Sequence, residues 1–125
     1  VVVDVLGHLL GVRVTSAQLH DGAVGGPLIK QTLWQHPSLK ALLADGTYGG
    51  VCRKYVEGKL GLPLHISRKV VDGFAVLPKR WIVERFLAWL GNNRRLSKDY
   101  ECCPRTSESF IQLAAVRIVL RRLAV

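Results

Sequence analysis

The chain opens on two runs rich in β-branched and aliphatic residues, 1–5 and 9–15, parted by Gly7-His8. That pattern predicts a β-hairpin. Asp21-Gly22 marks a turn or a helix start, and residues 26–35 predict a helix with Pro27 in its first turn. The short apolar run 40–44 ends at Asp45-Gly46. Length alone does not separate strand from helix there, but the glycines that follow favour a buried strand presenting Asp45 at its carboxyl end. Residues 51–59 read as a helix stopped by glycine, 62–67 as a second short strand, and 69–78 as a loop. Residues 79–90 are bulky and free of internal glycine and proline, so they predict a helix. Residues 110–123 predict another, with Pro104 and Thr106-Ser107 as its start signals. The order strand–strand–helix–strand–helix–strand–helix–helix implies an α/β arrangement around a mixed sheet.

Composition narrows the class. At 125 residues and 49% hydrophobic, the chain suits one globular domain or part of one. No apolar run approaches the roughly 18 residues of a membrane span. Methionine is absent and the chain begins Val1-Val2-Val3, so a fragment of a longer product is expected; Asp4 and the lack of early cations argue against a signal peptide. The three cysteines (Cys52, Cys102, Cys103) make no disulfide framework and suit a reducing compartment. The four histidines (His8, His20, His36, His65) show no zinc-ligand spacing with them.

Charge is unevenly spread. The net charge is +9, and residues 1–46 are neutral in balance, with Arg13, Lys30 and Lys40 against Asp4, Asp21 and Asp45. The whole excess lies beyond them. Such asymmetry points to a polyanion, nucleic acid first and an anionic membrane surface second, against the plainer reading of a solubilising surface.

Two acids stand out. Asp45 would project from a strand end with glycines behind it. Glu84 is a single acid among Lys79, Arg80, Arg85, Arg94 and Arg95. At helical spacing Arg80, Glu84, Ala88, Gly91 and Arg95 share one stripe, while Ile82, Val83, Phe86, Leu87, Trp89 and Leu90 form the apolar side. Carboxylates from a strand end and a helix can bind Mg²⁺ or Mn²⁺, which prefer oxygen ligands and support phosphodiester chemistry. The plain alternatives are an ordinary Asp-Gly turn and a surface Arg80–Glu84 pair. Asp4 is a third acid, read as a strand-end residue beside the Gly7 turn. Arg94-Arg95 with Lys98, and Arg117, Arg121 and Arg122 on the last helix, could contact phosphates; for the last set a solvated helix face is the plainer reading. Trp34, Trp81 and Trp89 read as core, and Tyr48 as an exposed aromatic or a loop anchor.

Four blocks carry a family likeness: D-V-L-G-H-L-L-G-V-R-V-T-S-A at 4–17, A-D-G-T-Y-G-G at 44–50, G-F-A-V-L-P-K-R-W-I-V-E-R-F-L-A-W-L at 73–90 and R-R-L-S-K-D-Y-E at 94–101. With the closing R-x-x-L-R-R-L at 117–123, they resemble the DDE transposases of bacterial insertion sequences. The resemblance implies an RNase H-like fold, a mixed sheet with flanking helices. It implies enzymes that cut transposon ends and join the freed 3′-hydroxyl to target DNA, with three acids holding two Mg²⁺ ions (or Mn²⁺). Asp45 corresponds to the second Asp and Glu84 to the Glu, both as catalytic and metal-binding residues. Arg80 corresponds to the arginine accompanying that Glu, and Arg80, Arg85, Arg94, Arg95 and Lys98 are expected to grip DNA. A tyrosine expected three residues before Arg80 is replaced by Leu77. A lysine expected seven residues after the Glu is replaced by Gly91, leaving Arg94 or Arg95 to serve. Asp4 matches the hairpin Asp of the family and not the first catalytic one. Residues 1–125 are therefore expected to be the C-terminal part of a catalytic domain, incomplete at its N-terminus with the first strand missing, and inactive alone in transposition. Self-association, no membrane contact and a bacterial cytoplasm, beside the nucleoid, follow from the same resemblance. The rival readings are a non-catalytic nucleic-acid-binding remnant and a helical interaction module using the last helix.

Overall fold

A computed structural model describes residues 1–67 and 79–124. The chain is mixed α/β and divides into two compact units, one of residues 1–15 with 82–125 and one of residues 16–81. The expected order of strands and helices holds, while the expected loop 69–78 lies outside the described residues.

In the first unit, β1 (Val2–Val3) pairs antiparallel with β2 (Leu9–Gly11), placing Val3 opposite Leu9. These strands are shorter than the β-branched runs suggested. The connecting turn is held by Asp4, whose Oδ1 accepts from the Leu6 and His8 amides at 2.9 and 2.8 Å. Gly7 closes it at φ +84°, a conformation that favours glycine. The later helices of this unit belong to α3 (Arg80–Gly91) and α4 (Pro104–Leu123). The division between units falls in the first turn of α3. Ile82, Phe86 and Leu90 recur every four residues and are buried. Phe86 and Leu90 pack with Ala114 and Ala115 of α4, and Val3, Leu9, Ile111 and Ile118 close over them. The small alanines let the two helices approach. α4 starts six residues earlier than the sequence suggested, with Cys103 as its N-cap and Pro104 at its first position.

A stacked clamp joins this unit's hairpin to its helices. The guanidiniums of Arg85 and Arg122 lie 4.8 and 4.6 Å from the centre of the Trp89 ring. Both donate to the Leu6 carbonyl in the hairpin turn, at 3.4 and 3.2 Å.

In the second unit, α1 (Asp21–Gln35) precedes β3 (Leu42–Ala44), α2 (Val51–Lys59) and β4 (Leu64–Ile66). β3 and β4 pair in parallel, Leu42 opposite Leu64 and Ala44 opposite Ile66, with α2 as the crossover. Ile29, Cys52, Val56, Leu62 and Leu64 make the core. Burial pushes the Cys52 thiol pKa up, so it behaves as a core residue. α1 begins at Asp21 and not at Gly26: the His20 ring accepts from the Gly22 amide at 3.1 Å as N-cap, and Pro27 sits inside the helix. An internal proline costs a helix about 3 kcal/mol. The offset comes from packing that local sequence does not display. Gly25 and Gly26 lie so close to the Tyr48 and Tyr55 rings that a Cβ on either would stand 2.8 or 2.9 Å from them. Among the described residues the strands form two separate two-stranded sheets, one antiparallel and one parallel, in place of the single mixed sheet expected.

Replacing Trp89 by leucine keeps apolar bulk and removes both cation–π contacts. It should lower stability by about 1–3 kcal/mol, measured by urea unfolding followed by circular dichroism, whereas Arg121→Ala should change little.

Candidate active site and cationic surface

Asp45 follows β3 directly. The strand ends there because the Asp45 carboxylate caps a 3₁₀ turn, Gly46–Tyr48, with Oδ1 accepting from the Thr47 amide at 3.0 Å. The Asp45 carbonyl accepts from the Tyr48 amide at 3.2 Å. The second carboxylate oxygen makes no hydrogen bond among the described residues. Asp45 is half-buried, and the glycines after it are open: a Cβ on Gly46 or Gly50 would meet nothing within 4 Å. Asp45 thus stands at a strand end followed by glycine, as expected.

Tyr48 is the anchor of this turn and not an exposed platform. It is half-buried, its ring against α1, and burial raises its pKa, helped by the charges of Asp21 and Asp45. The phenol therefore stays protonated beside two carboxylates. Asp21, at the start of α1, is an acid near this turn that the sequence reading did not single out.

Glu84 belongs to the other unit and lies exposed on α3. The polar stripe holds: Arg80, Glu84, Ala88 and Gly91 are exposed while Ile82, Phe86 and Leu90 are buried. Two turns further on, a Cβ on Gly91 would meet nothing within 4 Å. Leu87, assigned to the apolar side, is 48% exposed. Asp45 and Glu84 are each defined within their own unit.

The expected DNA-gripping cations divide into two kinds. Arg94 and Lys98 are exposed in and after a 3₁₀ turn, Arg94–Leu96. Arg80 is exposed at the start of α3. Arg85 is half-buried in the Trp89 clamp. Arg95 donates through Nε to Glu101 at 2.6 Å and covers the Phe110 ring at 5.3 Å. On the last helix Arg117, Arg121 and Arg122 are all exposed, as a solvated face requires, while Arg117 also donates to the Asn93 side chain at 3.0 Å and Arg122 completes the clamp.

Asp4 is committed to its turn, with Oδ2 against the His8 ring nitrogen at 2.9 Å. Burial raises its pKa, but the His8 amide and ring and the Leu6 amide outweigh burial and hold the carboxyl below its ordinary value. Cys103 is exposed, and the nearby backbone N–H groups of Arg105 and Thr106 lower its thiol pKa, as expected at a helix N-terminus.

Among the described residues no three His, Cys, Asp or Glu side chains lie close enough to hold a metal ion. The chemistry of Asp45 and Glu84 nevertheless suits a hard divalent cation: both are oxygen donors, and Asp45 keeps one uncommitted oxygen. No helix among the described residues is long and apolar enough to cross a membrane. A protein-family model described as the transposase DDE domain matches residues 1–119. No curated protein and no solved structure matches the chain.

The depressed carboxyl of Asp4 gives a signed pH dependence. Its contribution is present above the ordinary value of 3.8 and is lost as pH falls through the lower folded-state value. Asp4→Asn should lower stability at neutral pH and flatten the acid limb of stability against pH, read by urea unfolding across a pH series.

Proposed function

The chain belongs to the transposase DDE domain family, and on that premise we propose that it is the part of a DNA strand-transfer enzyme that contributes Asp45 and Glu84 as metal-binding acids. The observation that carries this reading is the Asp45 turn: a strand within the matched region ends in a carboxylate that has one oxygen tied to the Thr47 amide and the other uncommitted. The order hairpin, helix, Asp-bearing strand, helix, parallel strand and Glu-bearing helix supports an RNase H-like fold. Asp4 is not a third ligand in this reading, because both its oxygens are engaged in its own turn.

Mg²⁺ or Mn²⁺ bound by these acids would supply activation of water or of a 3′-hydroxyl and stabilisation of the leaving oxygen. The protein's own groups do the rest. Asp45 is oriented by the Thr47 amide, so one oxygen is aimed while the other is tied. Glu84 is exposed on α3, where a nucleic-acid backbone would reach it from the side of Ala88. Arg80, Arg94 and Lys98 neutralise phosphates, with Arg85 and Arg95 contributing positive field from positions fixed by the fold. Transposon ends and target DNA are the partners, assembly into a homo-oligomer accompanies the reaction, and the bacterial cytoplasm beside the nucleoid is the place of action.

The second reading, a DNA-binding remnant without catalysis, is favoured by the lack of a three-acid group among the described residues. Salt dependence and nicking separate the possibilities. DNA affinity should fall steeply with salt, and Arg94→Ala should reduce the log–log slope by about one. Arg95→Ala should change it less, since Glu101 already neutralises that guanidinium. Nicking of supercoiled plasmid in Mg²⁺ that is lost in Asp45→Asn and in Glu84→Gln supports catalysis by this chain. Salt-sensitive binding without nicking supports the remnant, and affinity indifferent to salt contradicts both.

A further inference from the structure

We infer that Gly22 and Gly25 of α1 are positioning residues, forming a socket that holds the Asp45 turn in the shape that aims its carboxylate. The inference rests on the proposed role of Asp45 but concerns residues of a different element. The 3₁₀ turn Gly46–Tyr48 has few bonds of its own: the Thr47 amide to Asp45 Oδ1, the Tyr48 amide to the Asp45 carbonyl, and the Gly49 amide to the Gly46 carbonyl at 3.1 Å. A turn this short is marginal without support from packing. The support comes from α1. A Cβ on Gly25 would stand 2.8 and 2.9 Å from two Tyr48 ring carbons and 3.1 Å from Cys52 Sγ. A Cβ on Gly22 would stand 3.2 Å from the Thr47 carbonyl oxygen and 3.1 Å from the His20 ring nitrogen. Both glycines thus abut the turn, one at its side chain and one at its backbone. Glycine inside a helix is otherwise unfavourable relative to alanine, so close approach accounts for its use here.

Gly26 supplies a matched control. A Cβ there would stand 2.9 Å from the Tyr55 ring, which lies on α2 and not in the Asp45 turn. Gly25→Ala and Gly26→Ala therefore deliver similar steric insults to the same unit, and only the first is directed at Asp45. Tyr48→Phe keeps the ring that fills the socket and removes only the hydroxyl.

The test is amide hydrogen exchange at Thr47 by NMR on the full chain, with Mn²⁺ titration as a second readout. Gly25→Ala should speed Thr47 exchange roughly tenfold through local opening of the turn, with Gly26→Ala and Tyr48→Phe near wild type. Mn²⁺ broadening of the Asp45 turn should weaken in Gly25→Ala alone. Should Gly25→Ala fail to fold, Gly22→Ala, whose contacts are looser, should show the same selective effect. Unchanged Thr47 exchange in the folded glycine variants, or an equal change in Gly26→Ala, overturns the socket. Selective exchange without Mn²⁺ broadening in any variant leaves the socket standing and overturns the metal role of Asp45.

Discussion

A carboxylate can act at a chosen point in space only if its backbone is fixed, and the hydrogen bond from the Thr47 amide to Asp45 supplies that constraint here. The parallel pairing of β3 with β4 delivers the chain to this point, and the 3₁₀ turn stops the strand so that the acid faces outward instead of continuing the sheet. One oxygen is spent on the cap and the other makes no hydrogen bond among the described residues. The same turn carries Tyr48, which seats against Gly25 of α1. Strand end, cap and helix surface therefore act together on one side chain, and the proposed chemistry depends on all three.

The charge distribution is best understood as two populations of cations. A net charge of +9 suggests a surface given over to a polyanion. Yet several arginines are occupied within the fold. Arg85 and Arg122 both lie over the Trp89 ring, Arg95 neutralises Glu101 while covering Phe110, and Arg117 bonds Asn93. Such residues still add to the electrostatic field but are held in place by protein contacts. Arg94 and Lys98 stand exposed, and these suit direct phosphate contact. Part of the positive charge thus serves cohesion of one unit.

What the sequence revealed was local. α2 was legible at both ends because glycines bracket an apolar-periodic segment, and the A-D-G sequence announced a strand ending in an acid. The periodicity of Ile82, Phe86 and Leu90 separated the buried side of α3 from the face bearing Glu84. What remained hidden depended on partners distant in sequence. α1 starts before Gly26 because tyrosines from later elements pack against its glycines, and Pro27 then misled as a start signal. The cation–π clamp joins residues from the hairpin turn, α3 and α4, and no spacing rule displays it. Asp21 escaped notice because nothing local ties the first turn of α1 to Tyr48.

The proposed function assigns Asp45 and Glu84 to a divalent metal. The most direct measurement replaces that metal with Fe²⁺ in the presence of peroxide and ascorbate and maps where the polypeptide is cut, because hydroxyl radicals formed at a bound ion cleave the chain beside its ligands. Cuts next to residue 45 and next to residue 84, suppressed by excess Mg²⁺, are the predicted result. Cuts confined to other segments, or a pattern that Mg²⁺ does not suppress, would contradict it.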